Sequence, residues 1–354
     1  MNTLSLCMIV KNEEKVLSRC LESVKGLVDE MIIVDTGSED KTIEVAKSYG
    51  ANIYHYKWDN HFSNARNFSL EQTKTDWQLV LDADEYIVND CKSKIIEFIN
   101  SRPAVGRIKR IDKFVQNNEV RHSQAYISRI FPKNTRYNGR IHEQVKSIHP
   151  RKKLDVEVYH DGYYLKEKSI RNIALLIKEE KQNANDNYIL YQLAKEYRIT
   201  KDYLNANKYY NMCYSMITNS DSYKPNLIVG YIYNLILLKD FKKGLEIINN
   251  EYSFLKSFAD FHFVVALFYM ELVFSNFEEY SNFLVNIEKE YLYCIELGET
   301  SEYDSTLGTG SYLALYNLGV YYETMGYHDK AKACYTQAAS YNYQPAVERL
   351  FIYK

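Results

Sequence analysis

The chain reads as an α/β domain over residues 1–170 followed by an all-α domain of helical repeats over residues 171–354. Three observations carry that reading. The first hundred residues alternate apolar runs of strand length with amphipathic stretches of helical period, the pattern of right-handed βαβ units and a mostly parallel sheet. Past Lys166 the strand period gives way to helical period, and one helix-pair pattern recurs near the C-terminus. A length of 354 residues also exceeds what one hydrophobic core ordinarily serves.

Taken in order, "LSLCMIV" (4–10), "EMIIVDT" (30–36), "ANIYHY" (51–56) and "WQLVLDA" (77–83) are strand-like, because each is a short run rich in apolar and β-branched residues. Between them "EEKVLSRCLESV" (13–24), "SEDKTIEVAKSYG" (38–50) and "FSNARNFSLEQT" (62–73) carry the helical period. Ser38 is expected to open the second helix as its N-cap, with acidic residues behind it, and Gly50 to close it. From residue 104 the period becomes two, in "AVGRIKRIDKFV" and "EVRHSQAYISRIF", which adds antiparallel or mixed strands to the same sheet. "YNGRIHEQV" (137–145) and "LDVEVYHDGYY" (154–164) complete the domain.

In the second half, "LYQLAKEYRITKDYLNANKYYNMC" (190–213) superposes on "LYNLGVYYETMGYHDKAKACYTQA" (315–338). Leu190 falls on Leu315, Leu193 on Leu318, Ala194 on Gly319, Ala206 on Ala331 and Tyr210 on Tyr335. Small residues at fixed offsets let two helices approach, and large ones fill the space between them, so a stack of about three to five helix pairs is expected. The chain has 34 tyrosines, which such a stack absorbs as packing. Aromatic surface left over would suit a peptide or a second copy of the chain, which makes a homodimer a candidate assembly.

Composition narrows the function. Charged residues make up 25% of the chain and balance to a net charge of −2, which argues against nucleic acid as a partner. The N-terminus "MNTLSLCMIVKNEE" lacks a basic region and a long apolar run, so neither a signal peptide nor a spanning helix is expected, and a cytoplasmic address follows. Six scattered cysteines form no C-x-x-C pair, which excludes a zinc or disulfide framework.

The chemistry concentrates where strands end. "WQLVLDADEY" (77–86) is an apolar run that stops on three acids, and alternation along a strand points Asp82 and Asp84 to one side. Like charges so placed repel, and a cation between them would relieve the repulsion. In open α/β sheets the ligand lies beyond the carboxyl ends of the strands, where Lys11 to Glu13, Asp35 to Ser38 and Asp82 to Glu85 all fall.

These segments resemble family 2 glycosyltransferases of the GT-A fold, in particular a bacterial group with a tetratricopeptide-like tail. The matching stretches are "SLCMIVKNEE", "LESV", "DEMIIVDTGSEDKT", "WDNHFSNARNFSL", "DWQLVLDADEY", "YNGRIHEQV" and "VYHDGY", in order over residues 5–163. The group includes lipopolysaccharide-core glucosyltransferases and the sublancin-type enzymes that glycosylate peptide cysteines. The resemblance implies an α/β GT-A domain for a nucleotide sugar, followed by an all-α tetratricopeptide-like repeat domain. It implies a UDP-sugar donor, with glucose preferred, and Mn²⁺ or Mg²⁺ to clamp the diphosphate. Asp84 would then hold the metal, Asp82 the ribose or the metal through water, and Asp35 the uracil N3–H. Arg66 would lie under the nucleotide, Glu13 would line the same cleft, and His160 would be a further metal ligand.

An inverting transfer needs a base opposite the leaving group, and Glu143 with His142 beside it in "GRIHEQV" are the candidates. For the acceptor a peptide or protein side chain, Cys or Ser, is preferred because helical repeats suit extended polypeptides. A lipopolysaccharide-core or other cell-envelope saccharide is the alternative. A haloacid-dehalogenase phosphatase, which also places D-x-D after a strand, is disfavoured because Tyr86 stands where Thr or Ser is usual. The non-enzyme alternative is a repeat scaffold whose α/β half is inactive, against which Asp84, Arg66 and Glu143 stand.

Overall fold

The computed structural model describes residues 1–116, 119–161, 166–183 and 186–353, and it divides into two compact units, Met1–Asn185 and Asp186–Lys354. The first unit runs past the boundary of 170 read from the sequence and takes in one more helix. Gly162 to Tyr164, the end of the segment "LDVEVYHDGYY", lie outside the described residues.

In the first unit β1 (Leu4–Val10), α1 (Leu17–Val24), β2 (Glu30–Asp35), α2 (Thr42–Ser48), β3 (Asn52–His55), α3 (Phe62–Glu71) and β4 (Trp77–Val80) follow the expected alternation. After them come β5 (Glu85–Ile87), α4 (Lys92–Ile99), β6 (Val105–Gln116), β7 (Glu119–Pro132), β8 (Arg136–Asn138), β9 (Gln144–Lys146), β10 (Arg151–His160) and α5 (Lys166–Gln182). The main sheet has the order β3-β2-β1-β4-β7-β6-β10-β5. Its first four strands are parallel, β7 runs antiparallel to β4 and β6, β10 is parallel to β6, and β5 is antiparallel to β10. The strands β8 and β9 form a separate two-stranded ribbon.

The central strands read as continuous apolar runs because both faces are covered. On one face Leu4, Leu6, Met8, Leu79 and Leu81 pack with Leu17, Leu21 and Val24 of α1. On the other, Cys7 and Val80 meet Leu70 of α3, Phe131, Tyr137 and Val145. All six cysteines are free thiols, five of them buried.

Two local expectations change. Ser38 does not cap α2: its hydroxyl accepts from the Asn12 N–H at 2.9 Å, and the helix starts at Thr42, whose N–H donates to Asp40 at 3.0 Å. Asp40 competes more effectively because its carboxylate also accepts the Thr42 hydroxyl at 2.5 Å. Gly50 does close the helix, with a φ of 75° and its N–H on Lys47 O at 3.0 Å. The fourth strand stops at Val80 rather than Ala83, because residues 82–85 form a turn in which Glu85 N–H donates to Asp82 O at 2.9 Å.

The second unit is all but wholly helical: α6 (Asn187–Ile199), α7 (Tyr203–Tyr214), α8 (Lys224–Leu238), α9 (Phe241–Leu255), α10 (Ala259–Ser275), α11 (Phe277–Tyr280), α12 (Leu284–Leu297), α13 (Tyr312–Thr324), α14 (His328–Ser340) and α15 (Gln344–Leu350). The pairs α6–α7, α8–α9, α10–α12 and α13–α14 stack, and α15 follows the last. The small-to-large logic holds in detail: a Cβ on Gly319 would stand 2.6 Å from Tyr335, and one on Gly230 would stand 2.6 Å from the Tyr210 hydroxyl. Among the described residues no helix is long and apolar enough to cross a membrane.

One buried acid in this unit carries a measurable consequence. Asp260 accepts the Thr306 N–H at 2.8 Å, and its other oxygen lies 2.6 Å from the Thr309 hydroxyl, which also reaches Thr306 O at 2.8 Å. One hydroxyl proton cannot serve two acceptors, so a proton on Asp260 completes the chain. Burial accordingly pushes the Asp260 carboxyl up to about 7. Its folded pKa exceeds the unfolded value of about 3.9, so the native state binds more protons between the two, and stability falls as pH rises through that window. Asp260→Asn reproduces the protonated pattern and is expected to remove this dependence. Urea unfolding should show equal stability near pH 4 and an advantage for the variant at pH 8 on the order of 3–4 kcal/mol. Parallel pH curves for the two proteins would refute the assignment.

Candidate active site

The carboxyl ends of the parallel strands bring the acids together. Register sets Asp35 at the end of β2 opposite Val10, and His160 at the end of β10 opposite both Asp112 and Glu85. The turn after β4 delivers Asp82 and Asp84 to the same edge but to different partners.

Asp82 sits between two buried guanidiniums. Arg66 Nη2 donates to one of its oxygens at 2.6 Å and Arg129 Nη2 to the other at 2.8 Å. Burial alone would raise the Asp82 pKa, but the two arginines outweigh it and hold it well below the carboxylate range. Arg66 reaches this position because α3 buries one face, Ala65, Arg66, Ser69 and Leu70. Its Nε donates to Glu143, whose side chain is only 10% exposed, while its Nη1 is buried and has no hydrogen-bond partner among the described residues. Glu143 and His142 lie on the loop between β8 and β9, where Gly139 (φ 100°) and His142 (φ 51°) both take left-handed backbone.

Arg129 was not singled out by sequence reasoning, and it ties the cluster together. It donates to Asp82 and, at 2.6 Å, to Glu85, a carboxylate with no exposure, which Arg110 also approaches at 3.3 Å. Its placement comes from a bulge: Gly106 pairs with Ile130 and Arg107 with Ser128, so Arg129 is the extra residue of β7. Arg129, Ile130 and Phe131 are buried in succession, against the period of two.

Asp84 takes a different set. His160 Nε2 lies 3.2 Å from its Oδ2, and Lys168 Nζ lies 3.4 Å from the same oxygen. The other ring nitrogen of His160 is 2.6 Å from Asp112. Burial would lower the His160 pKa, but the hydrogen bonds to Asp112 and Asp84 win and push it up to about 10. Burial would likewise raise Asp84, and the bond to His160 keeps it below its usual value. Among the described residues each of the two carboxylates meets cationic partners of its own, Asp82 the guanidiniums of Arg66 and Arg129 and Asp84 the side chains of His160 and Lys168.

Glu13, after β1, is the acid left over. Burial first, then Asp84 and Asp82, push its carboxyl up to about 7. Asp35 accepts from the N–H of Gly37 at 3.1 Å and of Ser38 at 3.0 Å, which fixes the loop after β2. Trp58 and Phe62 pack edge-on against each other at 4.8 Å.

The described residues contain no group of three or more His, Cys, Asp or Glu arranged to hold a metal ion. The carboxylate of Asp84 fits a hard divalent cation that keeps waters and substrate phosphates as its other ligands, and His160 joins it only after losing the proton that bonds it to Asp84. Asp112 orients the ring of His160 through its far nitrogen, the arrangement usual behind a ligating imidazole.

Comparison with known proteins agrees with this architecture. Residues 5–155 match glycosyl transferase family 2, and residues 312–345 match a tetratricopeptide repeat. The chain is 28% identical over 186 residues to the SPbeta prophage-derived glycosyltransferase SunS of Bacillus subtilis, covering 49% of this chain and 44% of that protein. It is 50% identical over 88 residues to a TPR repeat-containing protein of Synechococcus elongatus, covering 25% and 22%, and 35% identical over 95 residues to an uncharacterized glycosyltransferase of Rickettsia typhi, covering 27% and 32%. The matches span less than half the length of each of these relatives. The first unit is thus built on a glycosyl transferase family 2 domain, and the helical unit carries a tetratricopeptide repeat.

Proposed function

We propose that the first unit transfers a sugar from a UDP-sugar to an acceptor with inversion, and that Asp84 would hold Mn²⁺ or Mg²⁺ against the donor diphosphate, joined by His160 only once the ring has given up the proton it shares with Asp84. The observation that carries this reading is an excess of carboxylate at one sheet edge. Arg66, Arg110, Arg129, Lys168 and protonated His160 face Asp82, Asp84, Glu85, Asp112, Glu143 and Glu13, and Glu13 is left with a raised pKa. A bound divalent ion supplies the missing charge and stabilises the leaving diphosphate.

The chain's own residues do the rest. Arg66 offers its orphan Nη1–H to a phosphate oxygen. Asp35 keeps lone pairs beyond those used by Gly37 and Ser38 and accepts the uracil N3–H. Glu143 accepts a hydrogen bond from Arg66 and serves as a positioning residue for that arginine. The acceptor is a peptide side chain, a choice supported by the helical repeats.

Thermal unfolding tests the donor site. UDP and Mn²⁺ together are expected to raise the midpoint by more than the sum of their separate shifts, since each completes the other's site. Merely additive shifts would refute the bridging metal, and no shift with UDP would refute the nucleotide.

A further inference from the structure

A cavity of about 300 Å³ lies beside the same sheet edge, lined by Lys15, Val16, Arg19 and Asp161. Asp161 follows His160 directly, and its N–H donates to the main-chain O of Asp84 at 3.4 Å, so a residue lining the cavity is tied to the backbone of the residue proposed to hold the metal. Arg19 is held from behind: its guanidinium lies 3.9 Å over the ring of Tyr86, which stacks on Tyr159 at 6.1 Å. In front, its Nη2 lies 2.5 Å from Asp161 Oδ2. Lys15 is exposed and has no side-chain partner among the described residues.

Two cations therefore face one carboxylate. The Arg19–Asp161 pair is 44% and 31% exposed, so water and salt screen it and another anion exchanges with it readily. Asp161 itself shows that a carboxylate fits against this guanidinium. The volume stands at the lower end for ligand pockets, enough for a side chain and its backbone rather than for an oligosaccharide.

The geometry points to an acceptor subsite in which Arg19 and Lys15 bind the carboxylate of an Asp or Glu neighbouring the residue to be glycosylated, so that the acceptor is an acidic peptide segment. This rests on the transferase reading for its role, but its binding chemistry is separable. The anion takes Arg19 from Asp161, and the neighbouring peptide residue is brought toward Asp84 and the donor.

The test uses the full chain and rhodamine-labelled octapeptides with a central Ser flanked by Asp or by Asn, with binding followed by fluorescence anisotropy. The Asp peptide is expected to bind about tenfold more tightly, the worth of one charge-assisted contact. The double variant Arg19→Gln, Lys15→Gln should abolish the preference, Arg19→Lys should keep part of it, and Asp161→Asn, lacking the internal competitor, should strengthen it severalfold. Equal binding of the two peptides by the unaltered chain, or a preference that survives the double variant, would overturn the subsite. Failure of UDP to bind would be read separately, as failure of the transferase reading, because peptide preference is measured without donor.

Discussion

Asp84→Asn is expected to lower sugar transfer by about 10³ or more, equivalent to about 4 kcal/mol of transition-state stabilisation, in a chain that stays folded. Asn keeps the size of the side chain and one acceptor oxygen, but it removes the anionic ligand proposed for the cation and leaves His160 with Asp112 as its remaining carboxylate partner. The joint effect of UDP and Mn²⁺ on the midpoint should vanish with it. The contrasting variant is Glu143→Gln, which retains an oxygen for Arg66 Nε. A positioning role predicts a loss within about tenfold, read mainly as a raised donor KM. A fall of 10²–10⁴ in kcat with donor binding intact would instead mark Glu143 as the base. Near-native transfer by Asp84→Asn would remove the metal from the mechanism altogether.

The largest effect on stability is expected at Arg129. Arg129→Met removes the nearer of the two cationic partners of Glu85, which has no exposure, and one of the two partners of Asp82. Breaking a buried ion pair from one side leaves a charge without compensation and costs about 3–5 kcal/mol. Urea unfolding of the variant should show that loss. Adding Glu85→Gln should recover part of it, since the group left stranded is then neutral, and the non-additivity of the two changes measures the coupling. A double variant less stable than the sum of its parts would show that Arg110 alone suffices for Glu85.

The sequence by itself determined the architecture. Unbroken apolar runs such as "LSLCMIV" and "EMIIVD" can satisfy burial only as central strands covered on both faces, and the helices between them have one apolar face each to do the covering. The recurrence of small and large residues in "LYNLGVYY" and "AKACYTQA" likewise required paired helices, since Gly319 has room for nothing beyond its hydrogens against Tyr335. The acids at 82 and 84 were legible because charged residues that interrupt an apolar run are costly unless paired, whereas Arg66 in "NARNF" and Glu143 in "RIHEQ" were named from the family resemblance and the base that an inverting transfer needs.

What only the tertiary structure decided is which charge meets which. Arg110, Asp112 and Arg129 lie in alternating strands where a charged residue every second position reads as a solvated face. The one available signal was that Arg110 and Asp112 share a side of β6. A bulge turned Arg129 inward, the turn after β4 gave Asp82 and Asp84 different cationic partners, and strand register set His160 against Asp112. Each of these outcomes depends on pairing between segments far apart in the chain. Local propensity carries no information about such pairing, whereas the low dielectric of the interior makes every unpaired charge costly enough to settle it.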